Sequence, residues 1–174
     1  MPHLSKQKII IAFVICLVLS ASEIFACSCV SLANEDVGEA VKYAAKQSTA
    51  VFAGKVVGFE YRKGIPNEYM KLREEISGKR IDYKTLIVKF QVESSWKDEL
   101  ASEIFLVTDQ TKNSDGTTTS SSCDYVFKEG ESYLVYANGK ENELRTHACT
   151  RTRPLKKAEE DLKFLGKGNK SAQL

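Results

Sequence analysis

The sequence predicts a mainly β fold: a small five-stranded Greek-key barrel of the OB type, with flanking helices and two disulfides. Three observations predict it. Five segments of strand character are separated by polar or glycine-containing turns. A helical stripe stands at each end of the set. Four cysteines, an even number, follow a leader-like N-terminus. The 174 residues are 43% hydrophobic and 28% charged, the composition of one ordinary domain rather than a disordered chain or a multi-pass membrane protein. Periodicity alone does not separate a barrel from a sandwich; five strands in so short a chain make the small barrel the natural candidate.

Lys6 and Lys8 precede an unbroken apolar run from Ile9 to Leu19. A membrane span needs roughly 20 apolar residues, so this run has the length of a signal-peptide core instead. Ser20 to Glu23 is polar, and Ala26 is a small residue of the kind accepted just before a cut. Residues 1–26 are therefore expected to be a signal peptide, with Cys27 as the first residue of a mature, nearly neutral, secreted chain, extracellular or periplasmic. Ile24-Phe25-Ala26-Cys27 partly resembles a lipoprotein box, but Phe25 is bulky for one, and acylating Cys27 would leave an odd number of cysteines. No membrane association is expected once the leader is gone. The domain is expected over 27–166 and a flexible tail over 167–174.

Val37, Ala40, Val41 and Ala44 form a helical stripe, with Asn34 or Asp36 as its cap. Ala50 to Tyr61 reads as a strand in which Gly54 and Gly58 mark a bend. The polar connection from Tyr61 to Lys84 has room for a short helix at Asn67 to Ile76. Thr85 to Glu93 alternates most cleanly of all. Trp96 to Leu100 is a turn, Glu103 to Thr108 a third strand, and Asp109 to Ser122 a Ser/Thr-rich loop. Glu131 to Ala137 and Glu143 to Cys149 are two more strands, joined by a hairpin turn containing Asn138-Gly139. Pro154 to Leu165 is a helix with Leu155, Ala158, Leu162 and Leu165 on one side and Gly166 at its end.

Outside the leader, which contains Cys16, the cysteines are Cys27, Cys29, Cys123 and Cys149. They allow three connectivities. A Cys27–Cys29 bridge across one residue is strained and disfavoured. Either of the others ties the tripeptide Cys27-Ser28-Cys29 to distant points and closes loops of about 100 residues, worth up to about 4–5 kcal/mol each and not additive. Chain termini normally fray, so a terminus clamped in this way is unusual.

The net charge of +2 and the lack of a Lys/Arg stripe along the sequence set nucleic acid aside. Catalysis is poorly supported. His147 is the one imidazole after the leader and sits in a strand; Ser120, Ser121 and Ser122 have no base near them in sequence. Cys27-Ser28-Cys29 also reads as a thiol-exchange motif, set aside because two partner cysteines are available to lock it. No enzyme activity and no resident cofactor are expected. The mature terminus offers different chemistry. An α-amino group with a pKa of about 8 is partly neutral at physiological pH. With its own carbonyl oxygen it can chelate zinc in a five-membered ring, and catalytic zinc sites keep one position open.

Four segments resemble a known family. They are Cys27-Ser28-Cys29-Val30, Ala50 to Val56 (AVFAGKV), Ser122 to Ala137 (SCDYVFKEGESYLVYA) and Thr146 to Leu155 (THACTRTRPL). Their order and cysteine placement are similar to those of the tissue inhibitors of metalloproteinases, a branch of the netrin-like modules, and most of all to short bacterial members. The resemblance implies the bridges Cys27–Cys123 and Cys29–Cys149. It implies that the Cys27 amine and carbonyl bind the catalytic zinc of a partner metalloendopeptidase, and that the Ser28 side chain enters the pocket after the scissile bond. Ser122 and Asp124 would line the same ridge, and the protein would act as a monomer. The chain departs from the animal members at Ser31-Leu32-Ala33-Asn34, where they are rich in Pro and His, in lacking a third disulfide, and at Asp124, where glycine is usual. The alternative expectation is a secreted netrin-like binding or structural module without inhibitory activity.

Overall fold

The computed structural model describes residues 27, 29, 36–63, 68–79, 82–97, 100–140 and 143–170. The expected signal peptide, Ser28 and the candidate cap Asn34 lie outside them.

Helix α1 spans Val37–Gln47. Asp36 caps it, its Oδ1 accepting the Glu39 N–H at 3.1 Å, and Val41 is fully buried. Strand β1, Ala50–Lys63, leads through helix α2, Glu68–Ser77, to strand β2, Tyr83–Ser95. Strand β3, Glu103–Asn113, turns into the two-residue β4, Thr118–Thr119. Strand β5, Ser132–Ala137, is followed by β6, Arg153–Pro154, a 3-10 turn at Leu155–Lys157, helix α3 at Glu159–Leu165 and β7 at Asn169–Lys170. The sheet runs β4-β3-β2-β1-β5-β6, with β7 on β2, and all these pairings are antiparallel. The result is a mainly β fold: a curled, half-barrel sheet with three helices and two disulfides.

The curl begins where the glycines predict it. The register between β1 and β2 slips between Ala53 and Gly54 and again between Val56 and Gly58, and such bulges bend a strand. At Gly54 a Cβ would stand 2.8 Å from the Gln91 carbonyl oxygen, so glycine is needed for the strands to approach.

Curling gives the sheet two apolar layers. Inside, Phe52, Phe90, Phe127 and Tyr133 meet edge to face, with centroids 5.0–5.5 Å apart along the chain of contacts. Outside, Val51, Leu134 and Tyr136 pack with Ala158, Leu155, Leu162 and Leu165 beneath the helices. Successive residues of β1 therefore enter opposite layers, which explains the unbroken burial of Ala50 to Ala53.

Helix α3 is also held by charge. Asp161 has no exposed surface. It accepts from Tyr136 Oη at 2.9 Å and from Arg151 Nε and Nη2 at 3.0 and 2.9 Å, with Arg153 Nη1 at 3.4 Å. Trp96 and Lys97 secure both helix ends at the exit of β2. The Trp96 indole donates to the Gly166 carbonyl after α3 at 2.8 Å. Lys97 Nζ donates to the Ala45 and Lys46 carbonyls at 3.3 and 3.2 Å and to that of Ser48, at the C-terminus of α1.

Four segments differ from expectation. β3 continues to Asn113, because the Thr111 and Thr119 hydroxyls bond across the β3–β4 hairpin at 2.8 Å and draw part of the Ser/Thr-rich loop into the sheet. The expected strand over 143–149 is reduced to bridges at Leu144, Arg145 and His147, because a turn from His147 to Thr150 breaks its pleat. The helix expected from Pro154 begins as an extended pair with Tyr133 and Leu134 and becomes α-helical only at Glu159. The tail expected from 167 is partly in the sheet, with Asn169 and Lys170 paired to Ser95 and Ser94.

Candidate functional site

The ridge is built where two distant loops meet. An antiparallel bridge joins Asp124 to His147, and the Ala148 N–H donates to the Cys123 carbonyl at 2.7 Å. Each side is braced locally. Ser121 accepts the Cys123 N–H through its hydroxyl at 3.1 Å. The Cys149 N–H donates to His147 Nδ1 at 3.2 Å. Below, the Thr146 hydroxyl bonds those of Thr150 and Thr152 at 2.8 Å each. Cys123 and Cys149 thus stand as neighbours on one rim.

Cys27 is bonded to Cys123 and Cys29 to Cys149, each pair with Cα atoms 5.1 Å apart, over sequence separations of 96 and 120. Cys27 Sγ lies 3.7 Å from Cys149 Sγ. Neither sulfur carries a proton, so this is van der Waals contact, and the two bridges lie side by side. The sulfurs of Cys27, Cys29 and Cys149 fall within 4.8 Å of one another, but all three are used in the bridges and none is a thiolate ligand.

Asp124 is half buried and turned into the loop. Its Oδ1 accepts the Asp109 N–H at 3.0 Å and its Oδ2 the Ser120 hydroxyl at 2.9 Å. It braces the ridge rather than offering a free carboxylate to a partner. Ser122 is exposed and borders a polar cleft that also includes Glu68, Lys71, Thr111 and Arg145. Among the described residues His147 makes no hydrogen bond to a serine, and the Ser120 hydroxyl is committed to Asp124. Tyr125 has its phenol pushed up to about 12, by burial first and then by neighbouring Tyr133. It remains neutral and serves as packing.

Val126, two residues beyond Asp124, is an exposed apolar residue that the sequence reading did not single out. It is 79% exposed between Tyr125 and Phe127, whose rings pack inward. The alternation of Tyr125, Val126 and Phe127 carries the signal: with its neighbours inward, the middle side chain faces out. Among the described residues no helix is long and apolar enough to cross a membrane. No protein-family model matches the chain, and no curated protein matches it.

Proposed function

We propose that the protein is a secreted metalloendopeptidase inhibitor whose mature terminus, the Cys27 α-amino and carbonyl groups, binds the catalytic zinc of the protease. One observation carries this reading: Cys27 and Cys29 are both bonded to the body, through bridges in mutual contact. A chain beginning at Cys27 would present its amine from a fixed point, and little ordering entropy would be lost on binding. Ser28 would select the adjoining pocket, with Ser122 and Val126 on the flanking ridge. Asp124, bonded within its own loop, would repel an acidic cleft less than a free carboxylate. The fold reading belongs to the same proposal. The parallel bridge Leu106–Leu144 and the antiparallel bridge Asn138–Arg145 support a fifth strand closing an OB-type Greek-key barrel between β3 and β5.

The test measures the exported protein, with its terminus verified by intact mass and N-terminal sequencing. Inhibition constants of the mature form, a form with one alanine before Cys27, and Ser28→Arg are compared across several zinc endopeptidases. The extension should abolish inhibition while leaving thermal stability unchanged, because it touches only a terminus. Ser28→Arg should change which proteases are inhibited. Equal potency of the extended and mature forms would refute chelation by the amine. Lack of inhibition by every form would leave the non-inhibitory binding module.

A further inference from the structure

β1 pairs with β5 only over Ala50–Lys55, yet it continues along β2 to Lys63. The ends of β1, β2 and β3 therefore form a three-stranded arm. In its last row Lys63 faces Lys84, and Lys84 faces Lys112. Three ammonium-bearing residues thus stand directly opposite one another on adjacent strands, about 5 Å apart from strand to strand. Lys63 has Asp82 at 3.6 Å. Among the described residues Lys84 and Lys112 have no carboxylate partner, and both are exposed. Like charges in directly opposed positions destabilise a sheet, so the row works against the fold that carries it.

Aromatic rings adjoin the row on the same face. Phe59 and Tyr61 precede Lys63 by four and two residues, and period two puts all three on one side of β1. They are 39% and 38% exposed. Lys112 Nζ lies 5.9 Å from the Tyr61 ring centroid, and the Gln110 amide fixes the ring by donating to its hydroxyl at 3.0 Å. This face continues the inner one: Phe59 is in register with Val88, and Val88 with Leu106, both of the inner core. The concave surface thus runs from packed core to half-open rings to cations.

The geometry points to a binding surface for a linear acidic polysaccharide, with sugar rings stacked on Phe59 and Tyr61 and acidic groups held by Lys84, Lys112 and Lys63. A concave face admits a polymer chain but not a flat bilayer. Rings next to cations would also hold single-stranded nucleic acid. The two disulfides favour the saccharide, because such bridges persist in compartments outside the cytosol. The site does not use the terminus of Cys27, so it stands or falls independently of inhibition.

Heparin oligosaccharide and oligogalacturonate serve as probes in calorimetric titrations of the full exported chain at low and moderate salt. A short oligothymidylate and phosphatidylglycerol vesicles are run beside them. Binding to at least one saccharide should weaken as salt rises, and K84A/K112A should reduce it by about tenfold or more. Y61A should weaken it severalfold with the salt slope unchanged. K89A, in the row of Gly58 and Phe105 on the opposite face, should leave it unaltered. The K84A/K112A variant should melt no lower than the parent, which separates lost binding from lost folding. The proposal is overturned if neither saccharide binds, if K84A/K112A binds as the parent does, or if the oligonucleotide or the vesicles bind more tightly than both saccharides.

Discussion

The N-terminal segment is tied to the body by two covalent bridges, to Cys123 and Cys149, whereas the C-terminal helix, beside its apolar packing, is anchored by a buried carboxylate. The bridges act mostly on the unfolded chain, by removing conformations open to a free terminus. Their contribution is insensitive to acid and salt and is lost to a reductant. The Asp161 network acts in the folded state, where Arg151, Arg153 and Tyr136 compensate a charge removed from water. It ignores reductants and is lost to acid. The two ends of one domain should therefore respond to opposite treatments.

The sharpest way to break the comparison is to remove the bridges. With all four cysteines replaced by serine the domain should be unfolded, because the lost stabilisation is comparable to a whole domain's stability. Removing one pair should cost less, about 3–4 kcal/mol, because the surviving bridge shortens the loop closed by the other to roughly 30 residues. Urea titrations of the two paired variants measure this. Losses near 1 kcal/mol would place the clamp's effect elsewhere than in the unfolded chain.

At the other end, Asp161→Ala should cost about 3 kcal/mol, the lower part of the range for a broken buried pair, because the arginines retain some solvent. Tyr136→Phe should cost about 1 kcal/mol, one hydrogen bond to the same carboxylate. Both are read by urea titration.

The acid response sharpens the contrast. Burial pushes the Asp161 carboxyl up, but hydrogen bonds from Arg151 and Tyr136 and the charges of Arg153 and Arg151 hold it below the usual carboxylate value. A depressed folded pKa gives stability that is fully present above the unfolded value of about 4 and is lost as pH falls through the folded value. Melting temperature should therefore drop below about pH 4, and Asp161→Asn should flatten part of that limb. An unchanged limb would assign the acid sensitivity to other carboxylates. An effect as small as that of Tyr136→Phe is expected at Asp36→Ala, about 1 kcal/mol for one lost cap.

The clamp was more legible in the sequence than the carboxylate. Cysteine parity and the strain of a one-residue ring narrow the bridges to two arrangements without reference to the fold. Asp161 lies in Glu159-Glu160-Asp161, which reads as a solvated helix start. Its role depends on docking beside Arg151 and Arg153, although its place three residues after Ala158 on the apolar stripe was a usable signal. The lysine row was hidden for a related reason. Lys63, Lys84 and Lys112 are far apart in sequence, and only the register of three strands aligns them. Gly54 and Gly58 announced the bends because the requirement there is local. The segment over 143–149 misled because its strand pattern competes with a tight turn ending beside a half-cystine.

The Trp96-Lys97 dipeptide has a consequence for the order in which the molecule opens. One residue holds the last carbonyls of α1 and its neighbour holds the end of α3, although more than a hundred residues separate the two helices in sequence. Loosening this short stretch releases both helices from the outer layer together, so their amides should exchange with deuterium as one cooperative unit. In Lys97→Met, which breaks only the contact with α1, exchange should quicken in both helices. If only α1 responded, the two would be separate opening units that merely share a neighbour.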